Sequence, residues 1–295
     1  VFIKPHFELY RTVSLQIREI MSRYTTLIEP LSLDEAYLDV TDSNDFSGSA
    51  TLIAQAIRRD VKNELSICVS AGVAPNKFLA KIASDWEKPD GLFVITPDQA
   101  DTFIESLGVS KINGVGKVTT QKLNNLGIQT CGDLRELDEA TLNEKFGRYG
   151  SRLYQLARGI DHRPVETTRI RKSLSVEHTF EKDFSNSSDI QLETGKVFLE
   201  LCQRANKLKP EEKIHKRFVK VKFSDFTQTT LEETINSASI LKPSDWQNLA
   251  DFTRMIKQAC LRSEKPIRLL GMGVRLLAPV ESGTLIQLNL FDDCD

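Results

Sequence analysis

The hydrophobic period of this chain changes twice, and each change limits what the segment can become. Up to Ile95, helical and strand periods alternate. Phe7–Tyr24 carries Leu9, Val13, Ile17 and Ile20 at helical spacing. Thr26–Val40 reads as two strands about a turn at Leu31–Asp34, the second with Ala36, Leu38 and Val40 on one face and Glu35, Tyr37 and Asp39 on the other. Ala50–Asn63 is an amphipathic helix, Ser66–Val73 a strand, Asn76–Ser84 a short helix, Lys88-Pro89-Asp90-Gly91 a turn and Leu92–Ile95 a strand. Asp98–Gly159 then carries only helical segments, broken by Gly114, Gly116, Gly127, Gly132, Gly147 and Gly150. Alternation returns with a strand at Lys172–Phe180, a helix at Asp189–Leu208, a strand pair at Arg217–Phe226 and Thr229–Ile235, a helix at Asp245–Arg262 and a strand at Arg268–Leu277. The expected organisation is an α/β sheet region over 1–96, an all-helical domain over 97–162, a basic linker at 163–172, an α+β domain over 173–286 and a tail at 287–295.

A length of 295 residues with 40% apolar content is enough for two or three packed cores. No apolar run approaches the roughly 18 residues of a membrane span. The five cysteines are odd in number and widely spaced, which excludes a zinc or redox pair by spacing and fits a reducing, cytoplasmic setting. A net charge of −2 excludes a uniformly basic polyanion binder. The charge is segregated, however. Val1–His162 holds 18 basic and 22 acidic residues, whereas Arg163–Ile286 holds 21 basic and 16 acidic ones. A polyanion responds to that regional excess rather than to the total.

The chemistry concentrates at Ser32-Leu33-Asp34-Glu35, where two carboxylates meet at a turn entering a strand. Neighbouring strand residues point to opposite faces, so both serve one site only if the turn redirects Asp34. Adjacent carboxylates repel unless a cation lies between them or one is protonated. Hard oxygen donors of this kind suit Mg²⁺ and phosphoryl transfer. Taken alone, the pair reads more simply as a solvated turn acid beside a surface acid.

Its surroundings distinguish the two. Ile28-Glu29-Pro30-Leu31-Ser32-Leu33-Asp34-Glu35-Ala36-Tyr37-Leu38-Asp39-Val40 resembles the catalytic hairpin of the Y-family DNA polymerases. Ser70–Ser84 and Lys88-Pro89-Asp90-Gly91 resemble the next palm motifs of that family, in the same order. The resemblance implies an incomplete polymerase palm over 1–96, a helix-hairpin-helix thumb over 97–162 and a little finger over 173–286. It implies that Asp34 binds the catalytic ions, two Mg²⁺ in the complete site. Glu35 is then the adjacent catalytic carboxylate and second ligand, and Lys88 contacts the triphosphate of an incoming dNTP. Lys77 and Lys81, one turn apart opposite Phe78 and Ile82, are expected to form a solvated or structural face. The family begins with a strand bearing a further metal-binding aspartate, followed by a fingers segment, and neither is found after Val1. The expectation is a chain missing its upstream segment that binds DNA and extends primers weakly or not at all.

Ile112-Asn113-Gly114-Val115-Gly116-Lys117 looks like a helix-hairpin-helix turn, in which Gly114 and Gly116 admit a phosphate to the next helix N-terminus beside Lys117. Phe146–Arg152 is a weaker second candidate, and Arg158-Gly159-Ile160-Asp161 resembles the family's thumb ending. Further on, Arg171, Lys172, Ser173, Ser175, Lys220 and Lys222 fall on a polar, basic sheet face. Gly271 and Gly273 are expected to leave part of that face bare for a sugar-phosphate backbone. Gln287-Leu288-Asn289-Leu290-Phe291, in an acidic end, resembles the motif by which bacterial polymerases bind the sliding clamp, with Leu288, Leu290 and Phe291 filling an apolar pocket and Gln287 bonding at its rim. The functional expectation is low-fidelity, template-directed translesion synthesis by a monomer associated with the bacterial nucleoid, its partners being primer-template DNA, dNTP and the clamp. The alternative is a clamp-tethered DNA-binding protein without catalysis.

Overall fold

The computed structural model describes residues 3–235 and 246–277. The chain falls into two compact units, Val1–Arg169 and Ile170–Asp295.

The first unit opens with helix α1 (Phe7–Ser22) and a hairpin of β1 (Ile28–Pro30) and β2 (Ala36–Leu38), paired Ile28↔Leu38, Glu29↔Tyr37 and Pro30↔Ala36. Helix α2 (Ala50–Leu65) starts at Ser49, whose hydroxyl accepts the Leu52 N–H. Such a cap contributes about 1 kcal/mol. Ile53, Ile57 and Val61 of α2 meet Ile20 of α1, with Leu38 and Val40 of the hairpin packed alongside. Leu38 and Val40 of the second strand face this small core, but the opposite face is covered as well, and Tyr37 is the buried residue of the strand.

Strand β3 (Ala71–Val73) pairs in parallel with β4 (Leu92–Val94), and α3 (Lys77–Trp86) makes the crossover. The strand expected from Ser66 begins only at Ala71. Ser66 closes α2 in the left-handed region at φ 56°, and the pairing with β4 starts five residues later. Helix α3 lies directly on β3 at Gly72, where an added Cβ would sit 2.2 Å from the Ser84 nitrogen. Only glycine permits that approach.

Five helices follow: α4 (Pro97–Glu105), α5 (Lys117–Asn125), α6 (Cys131–Arg135), α7 (Glu139–Phe146) and α8 (Tyr149–Ala157). Their buried residues, among them Ile104, Leu123, Leu134, Leu142 and Leu153, share one core with Phe78, Leu79 and Ile82 of α3. Each such side chain contributes about 1.5–3 kcal/mol by leaving water. The start of the expected linker belongs to this unit. Arg163 pairs with buried Asp161, the Pro164 carbonyl accepts from Lys77, and the Glu166 N–H donates to Glu29 at 2.8 Å.

In the second unit, β5 (Ser173–Phe184), β6 (Ile214–Phe223), β7 (Gln228–Thr234) and β8 (Ile267–Leu276) form an antiparallel sheet ordered β5-β8-β6-β7. Helices α9 (Ser187–Ala205) and α10 (Leu249–Cys260) pack on one face. The inward set is the one that alternation specifies: Val219, Val221 and Phe223 from β6, and Leu270, Met272, Val274 and Leu276 from β8, against Val197, Leu201, Phe252, Met255 and Ile256.

Candidate active site and nucleic-acid interface

The hairpin turn is closed by its backbone: the Leu31 and Ser32 N–H groups both donate to the Glu35 carbonyl, at 2.9 and 3.3 Å. Within it, the Ser32 hydroxyl donates to Asp34 Oδ1 at 2.5 Å and accepts from the Asp34 N–H at 3.3 Å. This local bonding redirects Asp34 out of strand alternation. Asp34 and Glu35 consequently line the same cleft, about 860 Å³ in volume, together with Lys81 and Lys88. The remaining walls include Val13 and Ile17 of α1 and Ile53 and Ile57 of α2.

Lys77 and Lys81 lie one turn apart on the same side of α3, about 6 Å along its axis. They reach Glu29 and Glu35. Lys77 is 7% exposed and also lies 5.0 Å over the Tyr37 ring. Burial raises the pKa of Glu29, but the Glu166 amide and the Lys77 ammonium outweigh it and hold the carboxylate below its usual value. Lys81 Nζ lies 2.8 Å from Glu35 and 3.3 Å from Asp85. Lys77 therefore takes the structural half of that expectation, as an interior ion-pair partner, whereas Lys81 lies at the candidate site beside Glu35. Both pairings join positions 48 or 46 residues apart, which local spacing does not reveal.

Lys88 is exposed and pairs with Asp85. The turn after it is pinned by Asp90, which accepts from Arg58 at 2.9 Å and Lys62 at 3.1 Å. The donor chemistry at the hairpin fits a hard divalent ion, with two accessible carboxylates at consecutive positions and a hydroxyl beside the first. Among the described residues no cluster of three His, Cys, Asp or Glu side chains gathers.

Gly114 and Gly116 are exposed on either side of buried Val115. Gly114 takes φ +98°, which favours glycine, and its missing Cβ would fall 2.8 Å from the Tyr149 hydroxyl. Gly116 caps α5 without a side chain, leaving the first N–H groups of that helix facing solvent beside exposed Lys117. The weaker Phe146–Arg152 candidate is largely structural: Tyr149 backs Gly114, and Arg152 binds Asp161 at 3.0 Å.

In the second unit, Arg171, Lys172 and Ser175 are exposed, and Ser173 is half-buried. Lys220 pairs with Glu177 at 3.0 Å, and Lys222 lies 5.3 Å over the exposed Phe226 ring. The expectation of a bare face is corrected at Gly273. The Phe218 ring from β6 fills that space, with Cζ 2.4 Å from the site of a Cβ, and Arg275 caps the ring at 4.7 Å. Gly271 is flanked by the Cβ atoms of Glu177 and Lys220 at 3.1 and 3.4 Å. Phe218, Arg275 and Glu232, the ion-pair partner of Arg275, are outer-face residues that alternation alone did not single out. The proposed clamp residues Gln287, Leu288, Leu290 and Phe291 lie outside the described residues.

Three family profiles match the chain in order: the impB/mucB/samB family at residues 1–85, the "DNA polymerase-iota, thumb domain" at 110–161, and the impB/mucB/samB family C-terminal domain at 171–290. A carboxylate-bearing hairpin, a glycine-hinged helical region and a separate sheet unit, matched in this order, define the class as a nucleic-acid polymerase. The DNA polymerase IV of Ectopseudomonas mendocina (strain ymp) is 53% identical over 276 residues, covering 94% of this chain and 76% of that protein. The DNA polymerase IV of Pseudomonas paraeruginosa (strain DSM 24068 / PA7) is 52% identical over 289 residues, covering 98% and 80%. Among solved structures, a Y-family DNA polymerase chimera built from Dbh and Dpo4 superposes with a TM-score of 0.81 at 26% identity, over 93% of this chain and 78% of that one. An insertion ternary complex of Dbh DNA polymerase gives a TM-score of 0.59 at 25% identity, over 94% and 78%. The chain belongs to the Y family of DNA-directed DNA polymerases.

Proposed function

We propose that this chain performs low-fidelity, template-directed translesion synthesis, moving a deoxynucleotide from dNTP to a primer 3′-hydroxyl with Asp34 and Glu35 as ligands of two Mg²⁺ ions. The observation that carries this reading is the placement of both carboxylates on one cleft with Lys88. Magnesium, when bound, makes the primer hydroxyl a better nucleophile and neutralises the triphosphate. The chain's own groups do the rest. Asp34, held by Ser32, presents a fixed oxygen. Glu35 supplies the second carboxylate, and Lys88 balances charge on the phosphates.

In this proposal, 1–96 is palm, 97–162 thumb, 163–172 linker, 173–286 little finger and 287–295 a clamp-binding tail. Duplex backbone is held at Gly114, Gly116 and Lys117, where open helix N–H groups meet phosphate oxygens. It is held again along Arg171, Lys172, Ser173, Ser175, Lys220, Lys222 and the strand at Gly271. The Gln287–Phe291 segment would tether a cytoplasmic, monomeric enzyme to the sliding clamp. Among the described residues no helix is long and apolar enough to cross a membrane.

The test is Mg²⁺-dependent extension of a labelled primer by the protein and by Asp34→Ala, with Mn²⁺ binding followed by electron paramagnetic resonance. The variant should lose extension and bind Mn²⁺ at least about tenfold more weakly, while keeping its grip on primer-template. Extension that survives Asp34→Ala would sink the assignment.

A further inference from the structure

The cleft rim carries four charges of alternating sign in a continuous chain. Glu35 Oε1 is 2.8 Å from Lys81 Nζ, Lys81 Nζ is 3.3 Å from Asp85 Oδ2, and Asp85 Oδ1 pairs with Lys88. The chain runs from the carboxylate assigned to the metal to the lysine assigned to the triphosphate. The Lys81 side chain is 20% exposed, so its pairs are screened less than surface ones. Lys81 is thus a resident cation on an oxygen that a divalent ion needs.

We infer that Lys81 is a positioning residue that holds Glu35 on α3 until a divalent cation displaces it, whereupon its ammonium falls back on Asp85. The inference rests on Asp34 and Glu35 being the ligands. Two features support it beyond the contact with Glu35. First, the second acceptor already stands in place, so the displaced ammonium is not left as a partly buried, unpaired charge. Second, Asp85 is shared with Lys88, so a stronger claim by Lys81 on Asp85 loosens Lys88 toward the phosphates that accompany the metal. The same carboxylate that restrains Lys88 in the free protein thereby couples arrival of the ion to release of a nucleotide-binding lysine.

The experiment is a Mn²⁺ titration, read by electron paramagnetic resonance, of the protein and its Lys81→Met, Glu35→Gln, Lys81→Met/Glu35→Gln and Asp34→Ala variants. Circular dichroism checks that each is folded. Lys81→Met removes the competitor and should tighten Mn²⁺ binding about tenfold, the scale of one partly buried charge pair. In the Glu35→Gln background the same substitution should change affinity less than about twofold, because the competition is for that carboxylate. Lys81→Arg, which keeps the charge, should bind Mn²⁺ no more tightly than the parent. The inference is overturned if Lys81→Met leaves Mn²⁺ affinity unchanged or weakens it. An equal gain without Glu35 also overturns it, since that marks a general field effect. If Asp34→Ala leaves Mn²⁺ binding intact, the metal site itself is wrongly assigned and both readings fall. If Asp34→Ala abolishes binding and Lys81→Met does nothing, only the role of Lys81 falls.

Discussion

Replacing Asp161 by Asn should destabilise the first unit by about 2–3 kcal/mol at neutral pH and by progressively less in acid. Asp161 has no exposed side-chain surface and lies between Arg152 at 3.0 Å and Arg163 at 2.8 Å. Burial pushes its carboxyl up, but the hydrogen bonds and fields of Arg163 and Arg152 outweigh this and lower it to about 2. An unfolded aspartate titrates near 3.9, and each unit of difference corresponds to about 1.4 kcal/mol, giving roughly 2.5 kcal/mol. Because the folded value is the lower one, the contribution is complete above about pH 4 and declines as pH falls toward 2, with about half left at pH 3. The freed arginines, 26% and 53% exposed, reach water in the variant and add little. Each of the two tryptophans reports on one unit: Trp86 ends α3 and Trp246 is buried in the second core. Urea unfolding followed by fluorescence in a Trp246→Phe background therefore reads the first unit. The thermal midpoint of that unit should fall by roughly 5–10 °C. A loss below about 1 kcal/mol at pH 7 would refute the reasoning. So would a loss that stays constant from pH 7 to pH 3, which would place the effect in packing rather than charge.

Gly273→Ala should destabilise the second unit by about 1–3 kcal/mol in the same urea assay read through Trp246, because the new methyl meets Phe218 Cζ at 2.4 Å and the Leu174 carbonyl at 2.7 Å. Gly114→Ala forces a side chain into φ +98° against Tyr149 and should weaken primer-template binding at least about fivefold, measured by fluorescence anisotropy. Lys117→Ala should lower the slope of log affinity against log salt by about 1, with little dependence on DNA sequence.

The elements were legible wherever burial has a local period. The α1, α2 and α3 stripes, the alternation of β6 and β8, and the switch to an all-helical stretch after Thr96 each follow from one face turning inward. Asp34 and Glu35 stood out through the motif around them, since the pair alone reads as a solvated turn, and the hairpin turn brings both to one cleft. Lys81 did not stand out. On its own helix it occupies the polar face, and only the ion pair with Glu35, 46 residues away, makes that face part of the site. Gly273 was misread for the same reason: alternation shows that a side chain is missing, but not that Phe218 of the neighbouring strand lies across the gap. Register between distant strands decides such contacts, and local spacing carries no information about it.

Helix α3 has a different partner on each side. Phe78, Leu79 and Ile82 are embedded with α4 to α8, while Lys77 and Lys81 grip the carboxylate hairpin. Its start is fastened to the far end of the helical region, where the Asn76 amide donates to the Gly159 carbonyl at 2.8 Å. A ten-residue helix is about 15 Å long, so a tilt of about 5° carries its end through about 1 Å. Displacements of that size at a reacting centre alter rates by about two orders of magnitude. On the proposed reading, load on the helices that hold the duplex would reach Glu35 through α3, and the grip on DNA would then bear on how fast the chemistry runs.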